Sequence, residues 1–441
     1  MKSPWGAALS LAALLVAGGA AAAEPCAGLC GGQALAPVFR ALEAAKAGRR
    51  DRPVHIIQIG DSHTANDYIA GALRDQLQFR FGHGGRGVLP PGLPYRGFDM
   101  RLVQVSTGGD WRTELSFAPP FNPAHPEQPR LYVAPGPFGL SGYRLTSTGA
   151  ATLTLDAEAS AGFTRAVVCA LAAPGAGAVT LSAGAAHERF PLEAKTTQAI
   201  CHSLHTDVAQ HQLRLSTDGG PVSLLSWATF GDGGVALSNL GVSGTQLRDF
   251  AARDDAVLSA EFEAYKPDLI ILAYGTNEGY GSNVDSAAYE TLLKDQLRRL
   301  RRLTHNAPVL VLGAPDADTL RPDLYGTGGT FPQCEPLSDD EQRTFAALIA
   351  QHSPRLARWY PPMGLEQIRA AQRRAALAEG AAFWDWGARM GGPCAAHRMS
   401  LADPKLVRGD HIHYTVEGGV KIASLLFADL MQADRDTLGA R

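Results

Sequence analysis

The sequence holds no basic excess: 40 Lys and Arg stand against 43 Asp and Glu, a net charge of −3. That balance cannot neutralise a phosphate backbone, so nucleic acid is not an expected partner. Beyond the first residues no apolar run approaches the ~20 residues needed to cross a bilayer, and no membrane span is expected in the mature chain. Cys-x-x-Cys, His-Glu-x-x-His and Gly-x-x-x-x-Gly-Lys are all absent, which removes the common zinc and phosphate-loop readings. The Gly-x-Ser-x-Gly elbow of α/β-hydrolases is missing as well, so His83-Gly-Gly85 reads as a flexible rim rather than an oxyanion loop. Disorder is excluded too, because hydrophobic residues make up 45% of the 441.

What is present begins with a leader. Lys2, the apolar run Ala7 to Val16 and the small residues that follow read as a signal peptide over 1–23, cut between Ala23 and Glu24. An exported, periplasmic chain is expected, with association to the cell wall or outer membrane left open. The six cysteines, at 26, 30, 169, 201, 334 and 394, form an even set suited to an oxidising compartment. Their order favours the local pairs 26–30, 169–201 and 334–394 among the 15 possible.

Along the chain the texture changes twice. Residues 36–50 read as a helix, Val54 to Ile59 as a strand, Gly60-Asp-Ser-His63 as a turn and Ala65 to Phe81 as a second helix. From about Gly97 helical spacing gives way to short alternating runs separated by Gly, Pro and Asp, as in a β-sandwich. After Asp232 strands and helices alternate again: 234–240, 267–273, 308–312 and 382–385 as strands, with helices over 245–265, 287–303, 339–352, 364–379 and 415–432. That alternation implies a parallel sheet between helices. The expected division is a leader over 1–23, a first α/β segment over 24–97, an inserted β-sandwich over 98–231 and a second α/β segment over 232–441. In the insert, Trp111, Tyr132, Tyr143 and Trp227 read as core first and sugar-stacking residues second. Trp359, Tyr360, Trp384 and Trp386 read as core or cleft lining. Arg298, Arg299, Arg301 and Arg302 read as a solvated helix face.

Four segments lie where open parallel sheets build sites, beyond the carboxyl ends of strands. Gly60-Asp-Ser62-His63 exposes a hydroxyl on a strand-to-helix turn. Asn239-Leu-Gly241-Val-Ser-Gly244 offers an unobstructed backbone N–H. Gly275-Thr-Asn277-Glu278 can aim an amide at a developing oxyanion. Asp410-His-Ile-His413 can set a carboxylate on an imidazole within one turn. Singly, each is also an ordinary cap or turn.

Taken together and in order, these blocks resemble the SGNH (GDSL-type) hydrolase family, with His63 where many members have Leu. The resemblance implies a flavodoxin-like parallel sheet sandwiched by helices. It also implies Ser62 as nucleophile, His413 as base, Asp410 as its orienting partner, and the groups of Ser62, Gly241 and Asn277 as oxyanion hole. No cofactor and no metal are implied. The long gap between Ser62 and Gly241, filled by the β-rich block, resembles periplasmic peptidoglycan O-acetylesterases with an inserted carbohydrate-binding-like module. The implied partner is an O-acetylated glycan, and the oligomeric state is open. Other readings are an esterase or acetyltransferase on another polysaccharide, a metal-dependent hydrolase using Asp61, His63, Asp410, His411 and His413, and a non-catalytic glycan-binding protein.

Overall fold

The computed structural model describes residues 28–95, 98, 100–116, 132–281 and 283–439. The expected leader, residues 1–23, and Cys26 lie outside the described residues.

Five parallel strands form the centre of the molecule. In space they run Val235–Gly241, Val54–Gly60, Leu269–Ala273, Val309–Leu312 and Ala382–Trp384, with Leu29–Cys30 antiparallel at the far edge. Counted along the chain this is the order 2-1-3-4-5, the flavodoxin-like arrangement, whose switch point lies between the first and third strands. Alternate residues feed two cores. Ile57, Ile59, Ile270, Leu272 and Val311 point to one face, and Ile56, Leu237, Ile271, Leu310 and Trp384 to the other. Both faces are covered, so these strands read as continuous apolar runs. Helices Ala36–Lys46, Ile69–Phe81 and Val416–Leu438 cover one side; Asp255–Tyr265, Ser286–Leu303 and Met363–Ala378 cover the other.

The β-rich block is a sandwich. A five-stranded antiparallel sheet from Val103–Gly108 to Ala186–Pro191 faces a second sheet built on Gln198–Gln210, Phe163–Ala172 and Val222–Phe230. Leu153, Leu155, Leu181, Leu213 and Leu215 of the first sheet pack on Val168, Ala170, Leu224 and Trp227 of the second. The outer face of the second sheet carries Val167, Cys169, Leu225 and Ala228 and shares a core with helix Asp255–Tyr265. A buried polar seam reinforces this junction. Leu140 N–H donates to Glu261 Oε2 at 2.5 Å, Ser226 Oγ bonds Glu261 and the Tyr265 hydroxyl, and Arg253 donates to the Leu140 carbonyl at 2.6 Å.

Several expectations are revised. The chain enters the sandwich before 98: Gly87–Leu89 already pairs with Trp227–Thr229. In the His83-Gly-Gly85 segment His83 is exposed, but Gly84 and Gly85 are buried rather than part of a rim, packed so closely that a Cβ at either would collide with the strands beside them. The helix expected over 245–265 is two, Leu247–Ala251 and Asp255–Tyr265, because Asp254 caps the second one. Arg299 does not join the solvated face. It is buried, donating to Asp255 at 2.5 Å and to the carbonyl of Ala251 at 3.2 Å. Tyr143, Trp227, Trp384 and Trp386 are core.

Bridges Cys169–Cys201 and Cys334–Cys394 are present, and Cys30 is also disulfide-bonded. The first staples register partners on adjacent strands. Among the described residues no helix is long and apolar enough to cross a membrane.

Candidate active site

All five expected residues meet at the carboxyl edge of the parallel sheet. Strand Val54–Gly60 ends in a turn where Asp61 caps a one-turn helix, Ser62–Ala65, by accepting the His63 N–H at 3.0 Å. Ser62 is therefore the first helical residue. N–H groups of a first turn have no intrahelical acceptor, so that of Ser62 is left for a ligand.

Gly241 lies opposite Gly60 in the neighbouring strand. The Val242 N–H, not that of Gly241, bonds the Gly60 carbonyl, so strand Val54–Gly60 does not consume the Gly241 N–H. A side chain at Gly241 would run into the backbone of Thr64 and Ala65, which explains why only glycine fits beneath the Ser62 helix. Asn239 supports the same helix: its amide donates to the Thr64 carbonyl at 3.3 Å, and its oxygen accepts from Arg86 at 2.7 Å. Arg86 in turn shares the buried Asp67 carboxylate with Arg74.

The third strand ends at Ala273, and Gly275 (φ 119°) turns the chain into the helix Thr276–Gly279. One amide hydrogen of Asn277 goes to the Thr245 carbonyl at 2.9 Å, and Gln246 donates to the Asn277 carbonyl at 3.1 Å. The amide is thereby oriented, with its second hydrogen unpartnered among the described residues. Glu278 ties the two loops together, accepting from Gly275 N–H at 3.0 Å and Leu247 N–H at 2.7 Å. Burial raises the Glu278 carboxyl to about 7 against the pull of those N–H groups.

His413 reaches in from the loop before the last helix. Its Nε2 lies 3.0 Å from Ser62 Oγ, and its Nδ1 lies 2.8 Å from Asp410 Oδ2. Asp410 Oδ1 accepts the backbone N–H groups of Ile412 and His413, both at 2.9 Å. Burial pushes the Asp410 carboxyl up, but the His413 ring and these two N–H groups outweigh it and hold it down to about 2. A carboxylate on Nδ1 makes Nε2 the basic nitrogen, facing the hydroxyl. The arrangement can deprotonate Ser62, stabilise the imidazolium and hold an oxyanion.

The set considered for a metal does not converge. His411 turns away, stacked on Trp359 at 3.5 Å between ring centres and bonded to Ser400. Among the described residues, the one His/Cys/Asp/Glu cluster tight enough for an ion is Asp318 with Cys334 and Cys394, whose sulfurs form a disulfide. A cavity of about 910 Å³ lies away from this chemistry, between the sandwich and helix Asp255–Tyr265, lined by Phe138, Gln198, Arg253 and Val257. Gln246 and Thr245 are not singled out by the sequence, and Glu278 stands in its motif without a role of its own. Only the Glu three residues after Gly275 signals a cap.

Residues 216–419 match the model of the GDSL-like lipase/acylhydrolase family. No curated protein matches the chain. Among solved structures, a peptidoglycan O-acetylesterase is 25% identical with a TM-score of 0.69, covering 92% of this chain and 99% of its own. A protein described as a GDSL-like lipase from Parabacteroides merdae is 14% identical with a TM-score of 0.30, covering 45% and 74%. A family two carbohydrate esterase from Clostridium thermocellum is 13% identical with a TM-score of 0.26, covering 68% and 95%.

Proposed function

From a chain that carries a GDSL-like lipase/acylhydrolase domain and is a carboxylic ester hydrolase, we propose a serine esterase that removes O-acetyl groups from a cell-wall glycan, peptidoglycan first. The observation that carries this reading is the relay of Ser62 Oγ, His413 and Asp410, with contacts of 3.0 and 2.8 Å.

In this reading Ser62 attacks the acetyl carbonyl while His413 Nε2 takes its proton. The negative oxygen of the tetrahedral adduct rests on the N–H groups of Ser62 and Gly241 and on the Asn277 amide. The C–O bond to the sugar breaks, His413 returns the proton to the departing hydroxyl, and Asp410 holds the imidazolium. Water activated by His413 then attacks the acetyl-Ser62 ester, releasing acetate and restoring the serine. No step draws on a cofactor.

The exposure of the relay supports a polymeric partner. The Asp410 side chain is 43% exposed and that of His413 is 29% exposed, so an acetyl group on a polymer can reach them without the chain entering a deep pocket. The domain division proposed is a leader over 1–23, a hydrolase domain in two pieces and a β-sandwich insert, with the insert beginning by Gly87. Disulfides and the leader support export to the periplasm. The sandwich as a glycan-binding module belongs to the same proposal.

The test is acetate release from O-acetylated peptidoglycan, acetylated xylan and a small aryl acetate. Preference for peptidoglycan is expected and lost in Ser62→Ala. Activity confined to the aryl acetate overturns the cell-wall reading.

A further inference from the structure

We propose that His63 is a positioning residue, a clamp that locks the turn carrying Ser62 to the loop carrying His413. The inference rests on the serine-esterase reading above and assigns work to a side chain that reading does not use.

His63 follows the nucleophile directly and is buried, with 4% of its surface exposed. Its Nε2 lies 3.0 Å from the Ile412 carbonyl, the peptide group on which His413 is mounted. A carbonyl oxygen has no proton to give, so Nε2–H is the donor. Nδ1 lies 3.3 Å from Asp61 Oδ1 and 3.4 Å from the Thr276 hydroxyl. The ring is walled by Trp386, His413 and Tyr414, each at 5.6 Å between ring centres. Three segments of the site therefore meet on one imidazole: the nucleophile turn, the loop before Asn277 and the loop of the base.

The titratable groups facing this ring are Asp61 from its own turn and Asp410, His413 and Tyr414 from the closing loop. The segment before Asn277 contributes the neutral Thr276, and the Trp386 helix an indole. Burial opposes a charge on His63. The hydrogen bond and charge of Asp61, the Ile412 carbonyl and Asp410 outweigh it, and the pKa is raised. When it carries its second proton, the ring donates at both nitrogens, to Ile412 and to Asp61. Removing it does two separable things. It frees the His413 backbone to move relative to Ser62, and it leaves the Asp61 carboxylate unbalanced near the base.

Three variants separate these roles. Leu at 63 fills the space without a donor. Gln places an amide N–H near the Nε2 position, and Asn stops near Nδ1. We expect H63L to lower kcat about 10- to 100-fold with KM within about twofold, since a displacement near 1 Å costs on that order. H63Q should recover most of kcat, whereas both should change the acid limb of kcat/KM, because neither keeps a titratable ring beside Asp61 and His413. H63N, whose amide does not reach the Ile412 carbonyl, serves as the variant without a donor at the Nε2 position if H63L does not fold, and melting curves identify that case. Wild-type kcat in H63L, or an H63Q no better than a folded donor-less variant, overturns the clamp. Ser62→Ala assayed beside them keeps the two readings apart: its full activity sinks the serine mechanism itself, whereas an inert Ser62→Ala with an unimpaired H63L sinks the clamp alone.

Discussion

Asn277 shows how a single side chain is made ready before substrate arrives. Thr245 takes one amide hydrogen and Gln246 holds the backbone, so the second hydrogen needs no reorganisation to meet an oxyanion. Asn277→Ala should lower kcat by about 10²–10³ with KM nearly unchanged, as steady-state kinetics on an aryl acetate would report. Asp410→Asn should cost on the order of 10³–10⁴ in kcat, because an amide N–H facing Nδ1 selects the wrong tautomer. The carboxyl of Asp410 is depressed, so its stabilising contribution is present above the ordinary carboxylate range and lost as pH falls through about 2. Over any working pH it stays ionised. The positions of Ser62, Asp410 and His413 stood out in the sequence because local spacing marks them, a serine two residues past a strand and Asp and His three apart, while their roles came from the family resemblance. The roles of His63 and Glu278 were not legible there, since their partners, Ile412 and Leu247, lie far along the chain.

The helix Asp255–Tyr265 is the element that joins the two halves. One side packs on Ser286–Leu303 and the other on the sandwich, with Glu261 buried in the seam. Burial raises the Glu261 carboxyl to about 7, against the pull of Ser226, the Leu140 N–H and Arg253. An unfolded Glu titrates near ~4.3, so between the two values the folded state holds one proton more. Stability should therefore fall as pH rises from about 4.5 through 7. Differential scanning calorimetry should find a higher Tm at about pH 5 than at about pH 8, and Glu261→Gln should shrink that difference by keeping the group neutral throughout. At this scale legibility followed periodicity. The parallel strands and their helices were readable because burial on defined faces imposes periods of about 2 and 3.6. Strand Gln198–Gln210 was not: it is an edge strand that mixes apolar Ala199, Ile200, Cys201 and Leu204 with polar residues on both faces, and so shows no clean alternation.

For the molecule as a whole, two bridges span 32 and 60 residues of sequence in different parts of the fold. Loop-closure entropy puts each at roughly 4 kcal/mol as an upper figure, a sizeable share of an ordinary stability. Reduction with a phosphine should lower Tm by several degrees, and Cys334→Ser with Cys394→Ser should do so without reductant. The division into an α/β domain and a β-rich insert was legible from the change of texture near 97 and 232. The entry into the sandwich was not, because Gly87–Leu89 is three residues long and opens on a glycine, and only its pairing with Trp227–Thr229 reveals it.

Ser62 and His413 are 351 residues apart, with the sandwich between them in the chain. Synthesis delivers Ser62 first, then the sandwich, then Gly241 and Asn277, and His413 last. Activity is thus the final property the polypeptide acquires. A chain halted between Ser62 and Asp410 has its serine but nothing to activate it, so such incomplete molecules are inert by construction.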